Sequence, residues 1–504
     1  MPPEQGEQIA VDRSARRAVR SVSWVAGSGV VVQGLALLSG IVVARHLTPE
    51  SLGALSAAQL VVGWATLTTG MGLSGPVAAR WIQSAGELRT LHWMLLAIGV
   101  LLALAIAAVS GSVADFYRDA RVRPLLVGAS VLIPLSALSV VPSAVLQREG
   151  LFAPLARIAV WSQLATSSVA AALALLQFGV WALVASAWVG GALRAIAAGV
   201  QARPWMNGAV AVPAAMKPLG VGAKLLLVDI GDYAFRNADT AIVGRSFGTD
   251  ALGLYAFAYS LFIRPLNLVT GSVGQVLLSD LAELRTLPER FDQRAVKAAR
   301  GVGRIAFPLL LGAAAVAPLA IPTVFGAKWS GAVPIARLFF LLGVVDSVGA
   351  LLGPIWMAAG RSRLLVAWSM VGNGSMVAAY GVGAALGSPF AVAAVALTFS
   401  ALVLTPLSFW LTRRAGLPLR GLERAIAAPL RDGLLAALSA LAVRRALEGK
   451  VSAAIALSAA IGVGAVTYLL LFWLTSRAEF KMLLGALQRQ RSAGGLPAQE
   501  EPRD

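Results

Sequence analysis

Asp229, Asp232, Arg236 and Asp239 lie three, four and three residues apart in an otherwise apolar stretch, and Arg264 follows in the next apolar run. At about 100° per residue, the first four fall within an arc of roughly 80° on one helix face. Three carboxylates around one guanidinium can pair locally, Asp232 with Arg236 and Arg236 with Asp239. Asp229 is then left over, and an unpaired carboxylate in low dielectric can hold a proton. Asp229, Asp232 and Asp239 are therefore candidates for proton or cation coupling. Arg264 lies near the middle of its run with no acidic residue beside it. A guanidinium there can grip a phosphate or pyrophosphate bidentately, or pair with a carboxylate such as Asp232 as a gate.

What positions these groups is set by composition. Of 504 residues, 58% are hydrophobic and 13% charged, with a mean hydropathy of +0.77. That is too little charge for a soluble surface and indicates an all-α polytopic membrane protein. Each ionisable group at a helix centre then costs roughly 2.5–3.5 kcal/mol on insertion scales, so it should face an interior or a wet cavity and find a partner. Six such groups fall within apolar runs: the four above, Arg264 and Asp346, the last outside the expected cavity helices. No cysteine occurs, and two distant histidines, His46 and His92, offer no metal site. No cofactor is expected.

About 14 spans are expected, at 22–44, 52–74, 93–113, 125–146, 155–176, 179–201, 221–243, 251–275, 303–325, 334–356, 364–386, 389–411, 428–447 and 451–475. If the N-terminus is cytoplasmic, inner loops and tails carry roughly three times as many Lys and Arg as outer loops, which places both termini inside. The basic N-tail, residues 1–21, lacks the pattern of a cleaved signal. The net charge of +18 is scattered over short loops, so nucleic acid is not an expected partner. The loop around Leu278–Gly303 is partly amphipathic and reads as a short helix on the cytoplasmic face.

The run "VARHLTPESLGALSAA" at Val43–Ala58 is echoed by "VGRSFGTDALGLYAFA" at Val243–Ala258, in both cases between two spans. Residues 114–126 correspond likewise to 323–336. The expected organisation is a six-helix half at 22–201, a linker at 202–220, a second half at 221–411 with the same topology, two further helices at 412–475, and a tail at 476–504. Two parallel-related six-helix bundles enclose a cavity between them.

The turn R-x-L-x-P-E-x-L-G at Arg45–Gly53, the run N-x-D-x-x-x-V-G-R-x-x-G-x-x-x-L-G-x-Y-x-x-A-Y at Asn237–Tyr259 and "FGAKWSGAVP" at 325–334 resemble Wzx-type polysaccharide flippases of the multidrug/oligosaccharidyl-lipid/polysaccharide (MOP) exporter superfamily. The resemblance covers about residues 20–475. It implies a carrier of polyprenyl-pyrophosphate-linked oligosaccharide in the bacterial inner membrane, working by alternating access and coupled to an ion or proton gradient. Its cavity would be lined by spans 1, 2, 7 and 8. Membrane lipids and a polysaccharide polymerase or export machinery are the implied partners. On those spans, Arg264, Arg236, Asn237, Tyr255, Tyr259, Asn267, Gln33 and Gln59 are the candidate substrate-binding residues. Trp64, Thr66, Thr68 and Thr69 add polarity to span 2. The rival readings are a peptidoglycan-precursor flippase or drug/cation exporter of the same superfamily, and a membrane glycosyltransferase or ligase. The last would need a large outer loop with paired carboxylates, which the sequence lacks.

Overall fold

The computed structural model describes residues 27–29, 31–70, 84–209, 229–417 and 419–477. These form α1 (Gly27–His46), α2 (Pro49–Gly70), α3 (Ala85–Tyr117), α4 (Val122–Arg148), α5 (Phe152–Leu175) and α6 (Trp181–Ala202). Then come α7 (residues 229–236) and α8 (Ala238–Glu283), followed by α9 (Pro288–Phe325), α10 (Ala327–Ala358) and α11 (Ser362–Ala385). The last three are α12 (Pro389–Arg414), α13 (Leu422–Leu447) and α14 (Ala453–Thr475).

Among the described residues, 12 helices are long and apolar enough to cross a membrane. The difference from the expected fourteen has two physical sources. Ala238–Glu283 is helical throughout except at Gly248 (φ 84°, ψ 176°), so two expected runs join across one bend. Ser362–Ala385 has the length but carries Ser369, Asn373, Ser375 and four glycines, and is not among the twelve. The start of the first expected span, the end of the second, the 202–220 linker beyond residue 209, the start of the seventh span, the N-tail and the C-tail beyond residue 477 lie outside the described residues.

Local chemistry sets the helix ends. The Thr48 hydroxyl accepts from the Ser51 amide, and Pro49 and Glu50 open α2, as a helix start favours. The long apolar run at 155–201 divides where Gln177 (φ 61°) and Gly179 (φ 57°) turn left-handed. The run at 364–411 divides at Gly387 (φ 85°), after which Ser388 caps Pro389–Phe399 through the Ala391 amide at 3.1 Å. The expected surface helix at 278–303 does not stand alone. α8 continues to Glu283, and α9 runs 38 residues from Pro288 without interruption, burying Phe291 and Val296. Its amphipathic pattern belongs to a helix that packs rather than to one that floats.

α2 crosses the bend of α8 at close range, glycine against backbone. A methyl group on Gly53 would land on the Thr249 carbonyl oxygen, and one on Gly253 on the Pro49 carbonyl oxygen. Each contact becomes the other when 200 is added to or taken from the residue number. The surroundings obey the same exchange. Arg45 donates from Nε to the Val324 carbonyl (2.8 Å) and from Nη2 to that of Thr323 (2.9 Å) at the end of α9. Arg245 stacks over the Phe116 ring at the end of α3, 5.5 Å from its centroid. The Trp329 indole donates to the Ala44 carbonyl at 2.9 Å, while the Tyr117 ring fills the space beside Gly244.

A second anchor holds α13 and α14. Asp432, fully buried, accepts from Arg304 of α9 at 2.7 Å, from Arg431 at 2.9 Å and from the Thr475 hydroxyl at 3.0 Å. Arg304 also lies over the Phe472 ring and donates to Ser476, and Tyr468 donates to the Arg304 carbonyl. Neither Arg304 nor Asp432 stands among the six intramembrane charges read from sequence. They are 128 residues apart, and nothing local links them.

Two stability predictions follow from these joints. Gly53→Ala and Gly253→Ala should each cost about 1–3 kcal/mol by overpacking against backbone, lowering the melting temperature of the purified protein. Gly111→Ala in α3, with open space around it, should be neutral or mildly stabilising. Asp432→Ala should cost more, about 3–5 kcal/mol, because it strands the Arg304 guanidinium in the interior.

Candidate functional site

The polar stripe expected on one helix face is split by the backbone. Helix α7 ends at Asn237, a turn residue (φ −115°, ψ 10°) whose Nδ2 donates to the Tyr233 carbonyl at 2.8 Å. The turn resets the helical phase between Arg236 and Asp239. Asp232 pairs with Arg236 at 2.8 Å, in the i,i+4 arrangement that the spacing allows. Arg236 and Asp239 do not form the expected pair. Asp239 turns inward, 3% exposed, and accepts from the Thr240 amide (2.7 Å) and the Tyr255 hydroxyl (2.9 Å).

Two groups thus replace one stripe. The first is half-open: Asp232, Arg236 and Asn373, whose Nδ2 donates to Asp232 at 3.1 Å. Sequence reading missed Asn373. Its signal is a lone amide in "VGNGS", but its partner lies 141 residues away. The second is closed. Tyr255 is 1% exposed and stands edge-on to Phe339, as do Tyr259 and, stacked, Phe262. Tyr255, expected among the sugar contacts, holds Asp239 and is closed off from solvent. Tyr259 is only half-buried. Asp346 accepts from Ser400 at 2.9 Å, where α12 widens into a π-helical turn, Ser400–Leu404. Such turns often mark functional positions.

Arg264 and Asn267, three residues apart on α8, are both exposed, and no described residue pairs with Arg264. Pro265 follows within the helix and removes one backbone donor. Gln59 is exposed on α2, Gln33 is half-buried on α1, and Asp229, the first described residue of α7, is exposed. Beside Gln59, the Leu60 carbonyl accepts from the Tyr233 hydroxyl at 3.2 Å, and the same ring fills the gap at Gly63. Tyr233 ties α7 to α2 and was also missed from sequence. Arg236, Asn237 and Asp232 thus sit near α2, while Arg264 and Asn267 lie further along α8 from the glycine crossing.

Around that crossing the charges form a latch. Arg121 donates to Glu50 (2.7 Å) and Asp119 (2.9 Å), and the Thr249 hydroxyl donates to Asp119 at 2.7 Å. Lys328 donates to the Arg45 carbonyl at 2.8 Å. Burial pushes the Asp119 carboxyl up, but hydrogen bonds from Arg121 and Thr249 outweigh it and hold the group below its usual value.

A model of the family described as polysaccharide biosynthesis protein matches residues 42–334, more than half of the chain. The chain belongs to that family. It is 26% identical over 499 residues to the succinoglycan biosynthesis transport protein ExoT of Rhizobium meliloti (strain 1021), covering 96% of this chain and 98% of that one. It is 25% identical over 352 residues to the lipopolysaccharide biosynthesis protein WzxC of Escherichia coli (strain K12), covering 68% and 70%. Its fold is that of the lipid II flippase MurJ in an inward closed conformation, at a TM-score of 0.73 and 12% identity, over 89% of this chain and 98% of that chain.

The Asp119 geometry fixes a pH dependence of stability. A carboxyl held below its free value, near 3.9, gives its full stabilisation above that value and loses it as pH falls through the lowered one. Wild type should therefore exceed Asp119→Asn in stability at pH 7 by roughly 1–3 kcal/mol. The gap should close below about pH 4, which paired melting curves across pH would check.

Proposed function

We propose that this transporter moves a polyprenyl-pyrophosphate-linked oligosaccharide from the cytoplasmic to the outer leaflet of the bacterial inner membrane by alternating access. Two six-helix halves, 22–201 and 221–411, rock against each other about the α2–α8 crossing, and α13 and α14 travel with the second half. The observation that carries this reading is the reciprocal contact of Gly53 with Thr249 and of Gly253 with Pro49. It gives the halves a common pivot, as a parallel repeat requires. The basic bias of the inner loops supports an outward-facing latch at Glu50, Asp119, Arg121 and Thr249, with both termini cytoplasmic.

The pyrophosphate binds Arg264, which has a guanidinium to spare and the geometry for bidentate contact. Asn267 and Gln59 are open amides suited to sugar hydroxyls, and Gln33, Asn237 and Tyr259 stand behind them. Arg236 is held by Asp232, and a phosphate arriving beside it competes for that guanidinium and frees the carboxylate. Asp232 and Asp229 then take up a proton or cation, which couples binding to movement. Asp239, bonded to Tyr255, is the inner member of the same coupling path. The ExoT and WzxC names place those relatives in succinoglycan and lipopolysaccharide biosynthesis, which supports a surface-polysaccharide repeat unit as cargo.

Deleting the gene and analysing lipid-linked sugars tests the reading directly: one polyprenyl-linked oligosaccharide should accumulate on the inner leaflet. Unchanged export in a strain without paralogues would sink it. Arg264→Ala, expressed at wild-type level, should fail to restore export, while Arg264→Lys restores it only partly because the bidentate fork is lost. Full complementation by the alanine variant would remove Arg264 from the pathway.

A further inference from the structure

At the end of the bundle opposite the latch, the turn between α10 and α11 faces the end of α12 across a cavity of about 460 Å³. Arg361, Arg363 and Arg414 line it, and among the described residues no carboxylate does. A fourth guanidinium reaches the same turn. Arg285, from the end of α8, lies against Gly360 so closely that a methyl group there would collide with its Nη2. Gly360 also has a left-handed backbone (φ 72°), so its position serves both the turn and the approach of the arginine.

Two neighbouring arginines are held in ion pairs. Arg413 pairs with Glu423, and Arg294 with Asp280. No described carboxylate pairs with Arg285, Arg361, Arg363 or Arg414; Arg414 instead lies over the Trp410 ring, 5.1 Å from its centroid. The walls are fixed. The Trp356 indole donates to the Thr412 hydroxyl at 3.0 Å inside the bundle, and Trp356 meets Trp368 edge-on. These contacts pin the end of α10 to α11 and α12 and keep the guanidiniums together despite their repulsion. Ser362 and Leu364, in the first turn of α11, line the same cavity, so the positive end of that helix lies beside it. Half-exposed Trp410 supplies the amphipathic ring that sits at headgroup level.

The geometry points to a phosphate-binding site at the membrane interface, formed by Arg361, Arg363 and Arg414 with Arg285 behind them, that takes the phosphodiester of an anionic phospholipid headgroup. Clustered arginines with no described carboxylate partner, gathered at a cavity beside an interfacial tryptophan, fit a lipid phosphate with its acyl chains lying along α11 and α12. A polyprenyl pyrophosphate presents the same chemistry, and the experiment separates the two. The site is independent of Arg264 and stands whether or not transport proceeds as proposed above.

Full-length protein in detergent is titrated with phosphatidylglycerol, phosphatidylcholine and a polyprenyl pyrophosphate, and bound lipid is read by native mass spectrometry. Wild type should retain phosphatidylglycerol over phosphatidylcholine. The triple variant Arg361→Gln, Arg363→Gln, Arg414→Gln should bind phosphatidylglycerol at least about tenfold more weakly, since each surface arginine contributes several-fold. Ser362→Glu provides a second variant that keeps every arginine: it places a carboxylate at the cavity and favours the start of α11, yet should weaken the lipid similarly. Arg264→Ala should leave this binding unchanged. If the variants lose polyprenyl pyrophosphate but not phosphatidylglycerol, the phosphate site stands and its source is the cargo. Equal binding of both ligands by wild type and variants overturns it.

Discussion

Everything in this molecule is arranged around a backbone-to-backbone crossing that tolerates no side chain. Gly53 and Gly253 each present a bare α-carbon to a carbonyl of the other helix. In a bilayer, helices gain little from apolar burial against one another, so close packing of small residues must supply the attraction. Ala54, Ala57, Ala58 and Ala258 continue the small-residue surface away from the crossing. The same approach brings Thr249 within reach of Asp119 and Arg45 within reach of the end of α9. A crossing even one methyl wider would lose those hydrogen bonds together, because they span the two halves rather than belonging to either.

The charges sort by how firmly they are held, and the sorting follows the architecture. The Arg304–Asp432 pair is sealed on all sides and braced by Arg431 and Thr475. A buried pair of this kind is a weak source of net stability, but breaking it is costly, so it acts as a rigid joint for α13 and α14. Asp232 and Arg236 are 37% and 71% exposed, so their attraction is screened and easily exchanged for another partner. Rigid ion pairs stand where helices should move as one. Labile ones stand where a ligand or proton could compete.

Much of this fold was legible because a bilayer imposes a length of about 20 apolar residues on each helix. The division of the two longest runs, at Gln177–Gly179 and at Gly387, follows from residues that accept left-handed backbone. The echo of Val43–Ala58 in Val243–Ala258 marked the region where the two helices cross, although the reason for its glycines is visible only in three dimensions. The stripe on α7 failed for a local reason. Helical spacing assumes an unbroken phase, and a single turn residue, Asn237, rotated Asp239 out of line with Arg236. Asn373, Tyr233 and the Arg304–Asp432 pair were invisible for the opposite reason. Each partner is distant in sequence, and an isolated polar residue in an apolar run carries no sign of what it will meet.

The reciprocal contacts also constrain how such a protein can move. Because Gly53 and Gly253 occupy equivalent places in the echoed sequences, rotation about their crossing changes both contacts alike, and neither half needs to deform. The chemistry, by contrast, is not duplicated. The second copy carries Asp232, Arg236, Asp239 and Arg264, where the first offers Gln33, Gln59 and threonines. A symmetric crossing beside an asymmetric set of polar residues separates two demands that conflict in a single helix pair. Close packing requires small, interchangeable residues at the crossing, whereas recognition of a charged head group requires large, unpaired ones. Arg264 lies eleven residues beyond Gly253, so at 1.5 Å per residue a large, exposed cation stands roughly 16 Å from the contact that must stay bare, and the two demands do not meet at one position.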